Sequence, residues 1–388
     1  MKKVKLGDIC EVFSGFAFKT FNEDKQGKPV IKIGNIQIDG KISLEECSYT
    51  KEIPQEKYFS KVNDIYIALS GATTGKVGIM EQGDFLINQR VGVVRLKNNN
   101  IPINYLFSFL KSKTVTILQD AFGAAQPNIS PKDILNYEIP LPSLEEQKAI
   151  AERLDKVSEL IEKRKTQLEK LDLLIKSRFI EMFGDLATPD CQWCKIKLVD
   201  ACANAEDIKC GPFGTQLSKD EYTDSGVAVW EIPQINNLFA TKPTHYLTEE
   251  KARQLDAYSL RAGDIAMSRK GNVGKCAVFP ANFDAGIIHS DVLRIRVDNR
   301  RVLPIFMMHQ LHYSGAVKHQ IELVSSGAIM AGINVTKLKQ IVVHIPPIEL
   351  QEQYVSFIEQ IDKSKFEIQK SLEKLEILKK SLMQQYFG

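Results

Sequence analysis

The segment Ile139-Pro140-Leu141-Pro142-Ser143-Leu144-Glu145-Glu146-Gln147 returns, altered but alignable, as Ile345-Pro346-Pro347-Ile348-Glu349-Leu350-Gln351-Glu352-Gln353. Proline lacks the backbone donor that a strand or helix interior needs, so each copy marks the end of one element and the start of another. In the first copy Ser143 precedes Glu146 by three residues, the spacing of a capping box, and a helix is expected to begin there. Behind it Ile150, Leu154, Val157, Ile161, Leu168, Leu171, Ile175 and Met182 recur in steps of four and three, with Arg164 and Arg178 in the remaining seam positions. Behind the second copy the seam reads Tyr354, Ile358, Ile361, Ile368, Leu372, Leu375, Leu382 and Tyr386, with Lys365 and Lys379. Such a heptad pattern predicts two coiled-coil helices.

The doubling extends outward from these segments. Lys5-Leu6-Gly7-Asp8 answers to Lys197-Leu198-Val199-Asp200, Asp64-Ile65 to Asp264-Ile265, and Gly75-Lys76 to Gly274-Lys275. Asn128-Ile129-Ser130 answers to Asn334-Val335-Thr336, and Leu168 to Ser177 answers to Leu372 to Ser381. An ordered series of this kind is an internal repeat with a period near 200 residues. Short β-branched runs punctuated by turns, such as Val30 to Ile33, Asp64 to Ile67 and Val91 to Val94, make each block β-rich. Helical stretches around Tyr105 to Leu118 and Pro304 to Gln320 interrupt them, which predicts an α+β class.

The expected division is 1–142 and 185–348 for the globular blocks, with 143–184 and 349–388 for the helices. A 40-residue helix reaches about 60 Å, beyond a block of this size. If both halves pack through the same surface, they are related by a pseudo-two-fold axis and the helices run antiparallel. Two similar blocks would then be held a fixed distance apart.

Composition sets the outer limits. The 388 residues are 44% hydrophobic and 26% charged, which excludes disordered and fibrous classes. No apolar run is long enough to span a bilayer, and no apolar core follows the basic start, so no membrane association is expected. Seven cysteines, an odd number, fit reduced thiols in a cytoplasmic protein. The net charge of +3 lies in the globular blocks, permitting a polyanionic partner without demanding one.

A proline-rich segment opening a long helix twice, after blocks carrying SGFAFK (from Ser14) and SGATTGKVG (from Ser70), resembles the specificity subunit of type I restriction-modification systems. The resemblance spans the whole chain. It implies two target recognition domains, each reading half of a split double-stranded DNA site, joined by two long helices as an antiparallel coiled coil. It also implies docking of two methylase (modification) subunits on the helices, with restriction subunits joining through them, and no active site or cofactor of the chain's own. A tandem scaffold that binds only proteins is the alternative.

Candidate DNA contacts follow from residue chemistry. Ser70 to Lys76 misses the phosphate-loop template, because three residues separate its glycines and Val77 stands where Ser or Thr must hold magnesium. Its counterpart, Ser268 to Lys275, is likewise glycine-rich and more basic. Lys76, Arg269, Lys270 and Lys275 are expected at phosphates, and Thr73, Thr74 and Asn272 near bases. Asn88-Gln89-Arg90 aligns with His289-Ser290-Asp291: amide groups suit adenine and Arg suits guanine, and the differing types fit blocks reading different sequences. Lys19, Lys32, Asn35, Gln126, Gln234, Asn236 and Asn237 are further candidates.

Enzymatic patterns are weaker. The Asp/Asn-Pro-Pro-aromatic segment of adenine methylases is missing, and Pro189-Asp190 with Asp207-Ile208-Lys209 mimics a nuclease pattern only loosely. No Ser/His/Asp set stands out, and all six histidines fall in the second half. Cys191, Cys194, Cys202 and Cys210 lack the paired knuckles of a zinc site, so no metal is expected.

Overall fold

A computed structural model describes residues 2–22, 25–80, 82–121, 127–184, 192–325 and 332–388. The chain is a mixed α+β protein of two compact units, Met1–Thr166 with Gln369–Gly388, and Gln167–Ile368. Among the described residues no helix is long and apolar enough to cross a membrane.

In the first unit the strands are β1 (Lys3–Lys5), β2 (Cys10–Ser14), β3 (Lys28–Ile31), β4 (Ser48–Thr50), β5 (Ile65–Ala68), β6 (Val77–Ile79), β7 (Leu86–Ile87), β8 (Val91–Leu96) and β9 (Glu138–Pro140). They form an antiparallel sheet in the order β2-β8-β5-β6, a sheet β4-β3-β7 in which β3 and β7 are parallel, and a β1-β9 ribbon. The second unit has β10 (Cys194–Lys197), β11 (Ile208–Cys210), β12 (Val227–Trp230), β13 (His245–Leu247), β14 (Ser259–Leu260), β15 (Ile265–Ser268), β16 (Cys276–Val278), β17 (Gly286–Ile288), β18 (Val292–Ile295) and β19 (Val342–Ile345). Its sheets, β11-β18-β15-β16, β13-β12-β17-β14 and β10-β19, repeat those orders, and the β12–β17 pair is again parallel. The internal repeat is therefore a repeat of topology.

The apolar run of β5 is buried on both faces. Ile65 and Ile67 enter the core formed with Tyr105 and Phe109, while Tyr66 and Ala68 enter the one formed with Ile31 and Ile87. The side-chain period of two makes one strand serve both layers. In β15, Ile265 and Met267 face one core and Ala266 the other, beside Trp230.

The Asp-Ile pairs found by the repeat lie where a turn enters this central strand. Arg95 on β8 donates from Nε and a terminal nitrogen to the two Asp64 oxygens at 2.7 and 2.6 Å, and Lys61 N–H donates to Asp64 at 2.7 Å. Arg296 does the same to Asp264 at 2.6 and 2.7 Å, with Arg261 N–H at 2.8 Å. Bidentate geometry with a third donor satisfies a buried carboxylate. The carboxylate in turn raises both guanidinium pKa values.

The long helices are Leu144–Phe183 and Ile348–Phe387. Ser143 Oγ accepts from the Glu146 N–H at 3.3 Å, and Glu146 accepts from the Ser143 N–H at 3.0 Å, closing the capping box. Each unit holds the start of one helix and the end of the other. In the second unit Asp172 pairs with Lys365 at 2.6 Å, Arg178 lies over the Phe357 ring, and Phe183 packs on Tyr354 at 5.4 Å. The partner number falls as the first rises, so the segments run antiparallel. The first unit shows the same order: Arg153 donates to the Tyr386 hydroxyl at 3.3 Å, and Glu162 faces Lys379.

The seam expected from the sequence departs at its ends. Phe179, Phe183 and Phe387 are buried where Arg178, Met182 and Tyr386 are expected. A helix of 3.6 residues per turn drifts against a strict heptad, and the final turns face a block as well as the other helix. Phe183 accordingly meets Phe306 edge to face at 4.8 Å, and its counterpart Phe387 meets Tyr105 in the same way at 5.3 Å.

Candidate nucleic-acid interface

One end of the central sheet gathers most of the candidates in each unit. In the first, Gly15 N–H donates to Val91 O, Leu69 N–H to Arg90 O, Asn88 N–H to Ile31 O and Gly71 N–H to Pro127 O. The loops after β2, β3 and β5, the β7–β8 turn and the segment at residue 127 thus share one edge. The second unit repeats the set: Gly211 N–H donates to Val292 O, Arg269 N–H to Asp291 O, His289 N–H to Trp230 O and Ile333 N–H to Arg269 O. Gly15 and Gly211 are required there, because a Cβ would stand 2.2 Å from Ile87 O and 2.3 Å from His289 O.

The glycine-rich segments are the turns of the β5–β6 and β15–β16 hairpins. Gly75 and Gly274 take φ of +83° and +85°, a left-handed turn that suits glycine. They close the hairpins by donating to Ala68 O and Ser268 O. The hairpin geometry accounts for these glycines. Thr74 is likewise buried and spends its hydroxyl on Gly71 O at 2.7 Å, whereas the Thr73 hydroxyl is buried without a partner.

Asn35 and Gln234 are also structural. Asn35 accepts from Lys32 N–H at 2.8 Å and donates to Ser43 O, and Gln234 accepts from Glu231 N–H at 3.2 Å and donates to Lys242 O. Both are buried tethers for the loop after β3 or β12, with no amide edge left for a base. Asn88 and His289 share another role: each accepts the N–H two residues on, that of Arg90 or Asp291, at 3.2 Å. Their types differ, yet both pin the same turn.

Arg269 is anchored by two backbone carbonyls. It donates to Ile333 O at 3.1 Å and Ser290 O at 3.3 Å, and its guanidinium lies 4.8 Å from the Phe213 ring centre. Lys270 pairs with Asp291 at 2.8 Å. Lys32 places its ammonium 3.6 Å from the Phe21 ring centre, and burial lowers its pKa. Asn236 accepts from the Ser268 hydroxyl at 3.3 Å.

Gln89, Arg90, Asn237, Asn272, Lys275 and Lys19 are exposed, and Lys76 and Ser290 are half-buried. Gln126 lies outside the described residues. Sequence reading passes over Phe21 and Phe213, which are 39% and 49% exposed beside cations. The signal for Phe213 is a glycine two residues before it, matched by the Gly15-Phe16-Ala17-Phe18 run.

Cys191, Pro189 and Asp190 also lie outside the described residues. Cys194 is exposed, while Cys202 and Cys210 are buried, and burial pushes the Cys202 thiol up to about 12. Asp207 accepts from Asn204 N–H at 2.9 Å, and Lys209 pairs with Glu206 at 3.3 Å.

The type I restriction modification DNA specificity domain matches this chain twice, over residues 1–171 and 210–379. The MjaVIII specificity subunit of a type I restriction enzyme from Methanocaldococcus jannaschii is 37% identical over 180 residues, 43% of this chain and 42% of that protein. The putative MjaX specificity subunit from the same organism is 26% identical across 98% of this chain and 91% of its own. The crystal structure of the type I S subunit from M. genitalium has the same fold, with a TM-score of 0.59 at 16% identity over 100% of this chain and 96% of that one. With both specificity-domain copies in place, the chain belongs to the type I restriction-modification DNA specificity family as a specificity subunit.

Proposed function

We propose that each unit reads one half of a split duplex DNA target through the shared sheet end, while a partner methylase supplies the chemistry. Residues 1–142 and 185–348 serve in this reading as target recognition domains, with 143–184 and 349–388 as spacer helices that dock two methylase subunits. Restriction subunits join through those, in the cytoplasm, and the chain itself is non-catalytic.

The observation that carries this reading is the duplicated turn. Its backbone is tethered alike in both units, yet the side chains it offers are Gln89 and Arg90 in one and Ser290 in the other, where Asp291 is paired with Lys270. A constant frame bearing different donors and acceptors is what two half-sites of different sequence require. Lys19, Lys76, Asn272 and Lys275 stand nearby for phosphate and sugar contacts, which set position rather than sequence. A scaffold for proteins alone gives no use to this difference.

The test is reconstitution with the methylase partner, followed by genome-wide mapping of modified adenines. A motif of two short specified halves around unspecified bases is expected. Arg90→Ala should relax one half and leave the other unchanged, costing about 1 to 3 kcal/mol of discrimination if the contact is bidentate. An unsplit motif, or a change in both halves, defeats the reading.

A further inference from the structure

The repeat provides an internal control for the place where a short helix meets the long ones. Ile103–Ser112 in the first unit aligns with Pro304–Tyr313 in the second, and Leu144–Phe183 aligns with Ile348–Phe387 without gaps. In the second unit this junction is filled by rings. Phe179 lies 5.6 Å from Tyr354 and 5.9 Å from Tyr313, and the His309 ring nitrogen meets the Tyr354 hydroxyl at 2.8 Å. The equivalent first-unit positions are Met383, Ile150, Ser112 and Ser108. Smaller side chains leave a cleft of about 840 Å³.

Five lysines, Lys111 and Lys379 among them, and four acidic residues line that cleft. Lys111 stands where the second unit has His312, and Lys379 where it has Ile175. Lys111 donates to the Asp39 backbone carbonyl at 2.6 Å. Among the described residues neither ammonium has a carboxylate within ion-pair distance. Glu162 pairs with Lys165 at 3.2 Å and also attracts Lys111 and Lys379 from beyond ion-pair distance, and Asp155 accepts from Asn104 at 2.7 Å. Burial and the nearby Lys379 bring Lys111 down to about 8, and burial lowers Lys379 as well.

Two cations sharing a partly dry, partly apolar cleft, with Glu162 compensating them only from a distance, favour an added anion. Charge-assisted bonds from both ammonium groups would supply that compensation. The walls beyond them are Phe107, Leu154, Ile161 and Met383, and the volume suits a small organic molecule. We propose that this cleft binds an amphiphilic anion, its carboxylate or phosphate head between Lys111 and Lys379 and its apolar body against Phe107 and Met383. In the second unit the rings of Phe179, Tyr313, Tyr354 and His309 stand at the equivalent positions.

The probe is 1-anilinonaphthalene-8-sulfonate, an aromatic anion, titrated into the full chain and followed by fluorescence. Saturable binding is expected. The pair Lys111→Met and Lys379→Met removes the head contacts. The pair Ser112→Tyr and Met383→Phe copies the second unit and fills the cleft without changing charge. Each pair should weaken binding by about tenfold or more, the equivalent of 1.4 kcal/mol. Circular dichroism verifies folding, and if one pair misfolds the other decides. Absence of saturable binding, or affinity within about twofold of the unaltered chain in the folded pairs, overturns the proposal. None of this depends on DNA recognition, so methylation mapping and dye titration fail or succeed separately.

Discussion

Replacing Asp264 by Ala removes the acceptor for three donors at once: both Arg296 bonds and the Arg261 N–H. Breaking a buried ion pair by deleting one partner costs about 3 to 5 kcal/mol, because the remaining charge stays desolvated. The Asp264 side chain is 3% exposed, but that of Arg296 is 32% exposed, so some hydration returns and the expected loss is about 2 to 3 kcal/mol. Asp264→Asn keeps an acceptor for Arg261 and should cost less. The assay is urea unfolding followed by tryptophan fluorescence, since both tryptophans, Trp193 and Trp230, lie in the second unit with the pair. With a slope of about 3 kcal/mol/M, the Ala variant moves the midpoint by somewhat under 1 M. Pairing Asp264→Asn with Arg296→Leu tests the mechanism: if the pair is coupled, the double variant costs less than the two single costs added. Simple additivity, or an Ala shift below about 0.3 M, would refute the reasoning.

Other consequences are as direct. Phe387→Ala empties a site bounded by Tyr105 and Phe109 and should destabilise the first unit by about 3 to 5 kcal/mol, read by thermal unfolding. Ser143→Ala removes the capping acceptor and costs about 1 kcal/mol by denaturant titration. Burial holds His309 near pH 3 and His312 near pH 4, below an ordinary imidazole, so both are neutral in the fold at pH 7. Between their ordinary and folded values the unfolded chain binds more protons. Stability therefore falls as pH drops below about 6.5, by up to about 1.4 kcal/mol per pH unit for each imidazole. A tryptophan-detected midpoint that stays flat from pH 6.5 to 4.5 contradicts this, and His309→Phe should make the slope shallower, with His312 and His344 still contributing.

The sequence carried the repeat, the helices and their capping box because those depend on spacing and on local hydrogen bonding. Leu154, Ile161 and Ile358 were legible as seam residues for that reason. Phe179 and Phe183 were not, because the surface they meet, Phe306 and Tyr354, is assembled by tertiary packing. The same limit applies to the candidate interface. Asn35 and Gln234 have the chemistry of base readers, yet each amide is consumed by a loop carbonyl eight residues away, a use that composition does not reveal. The anchoring of Arg269 by Ile333 O and Ser290 O is likewise invisible in the sequence. Gln89 and Arg90 remain available because the turn is fixed by its backbone and by Asn88.

Phe387 sits in the core of a unit whose first strand begins at Lys3, and Lys113 donates to its carbonyl at 3.0 Å. That core has a gap until Phe387 has left the ribosome. The N-terminal half is thus made early and completed late, and during synthesis its unfinished wall around Tyr105 and Phe109 is an apolar surface for chaperones to cover. A stop codon anywhere within the second half would remove no strand of the first unit and still leave it unsealed.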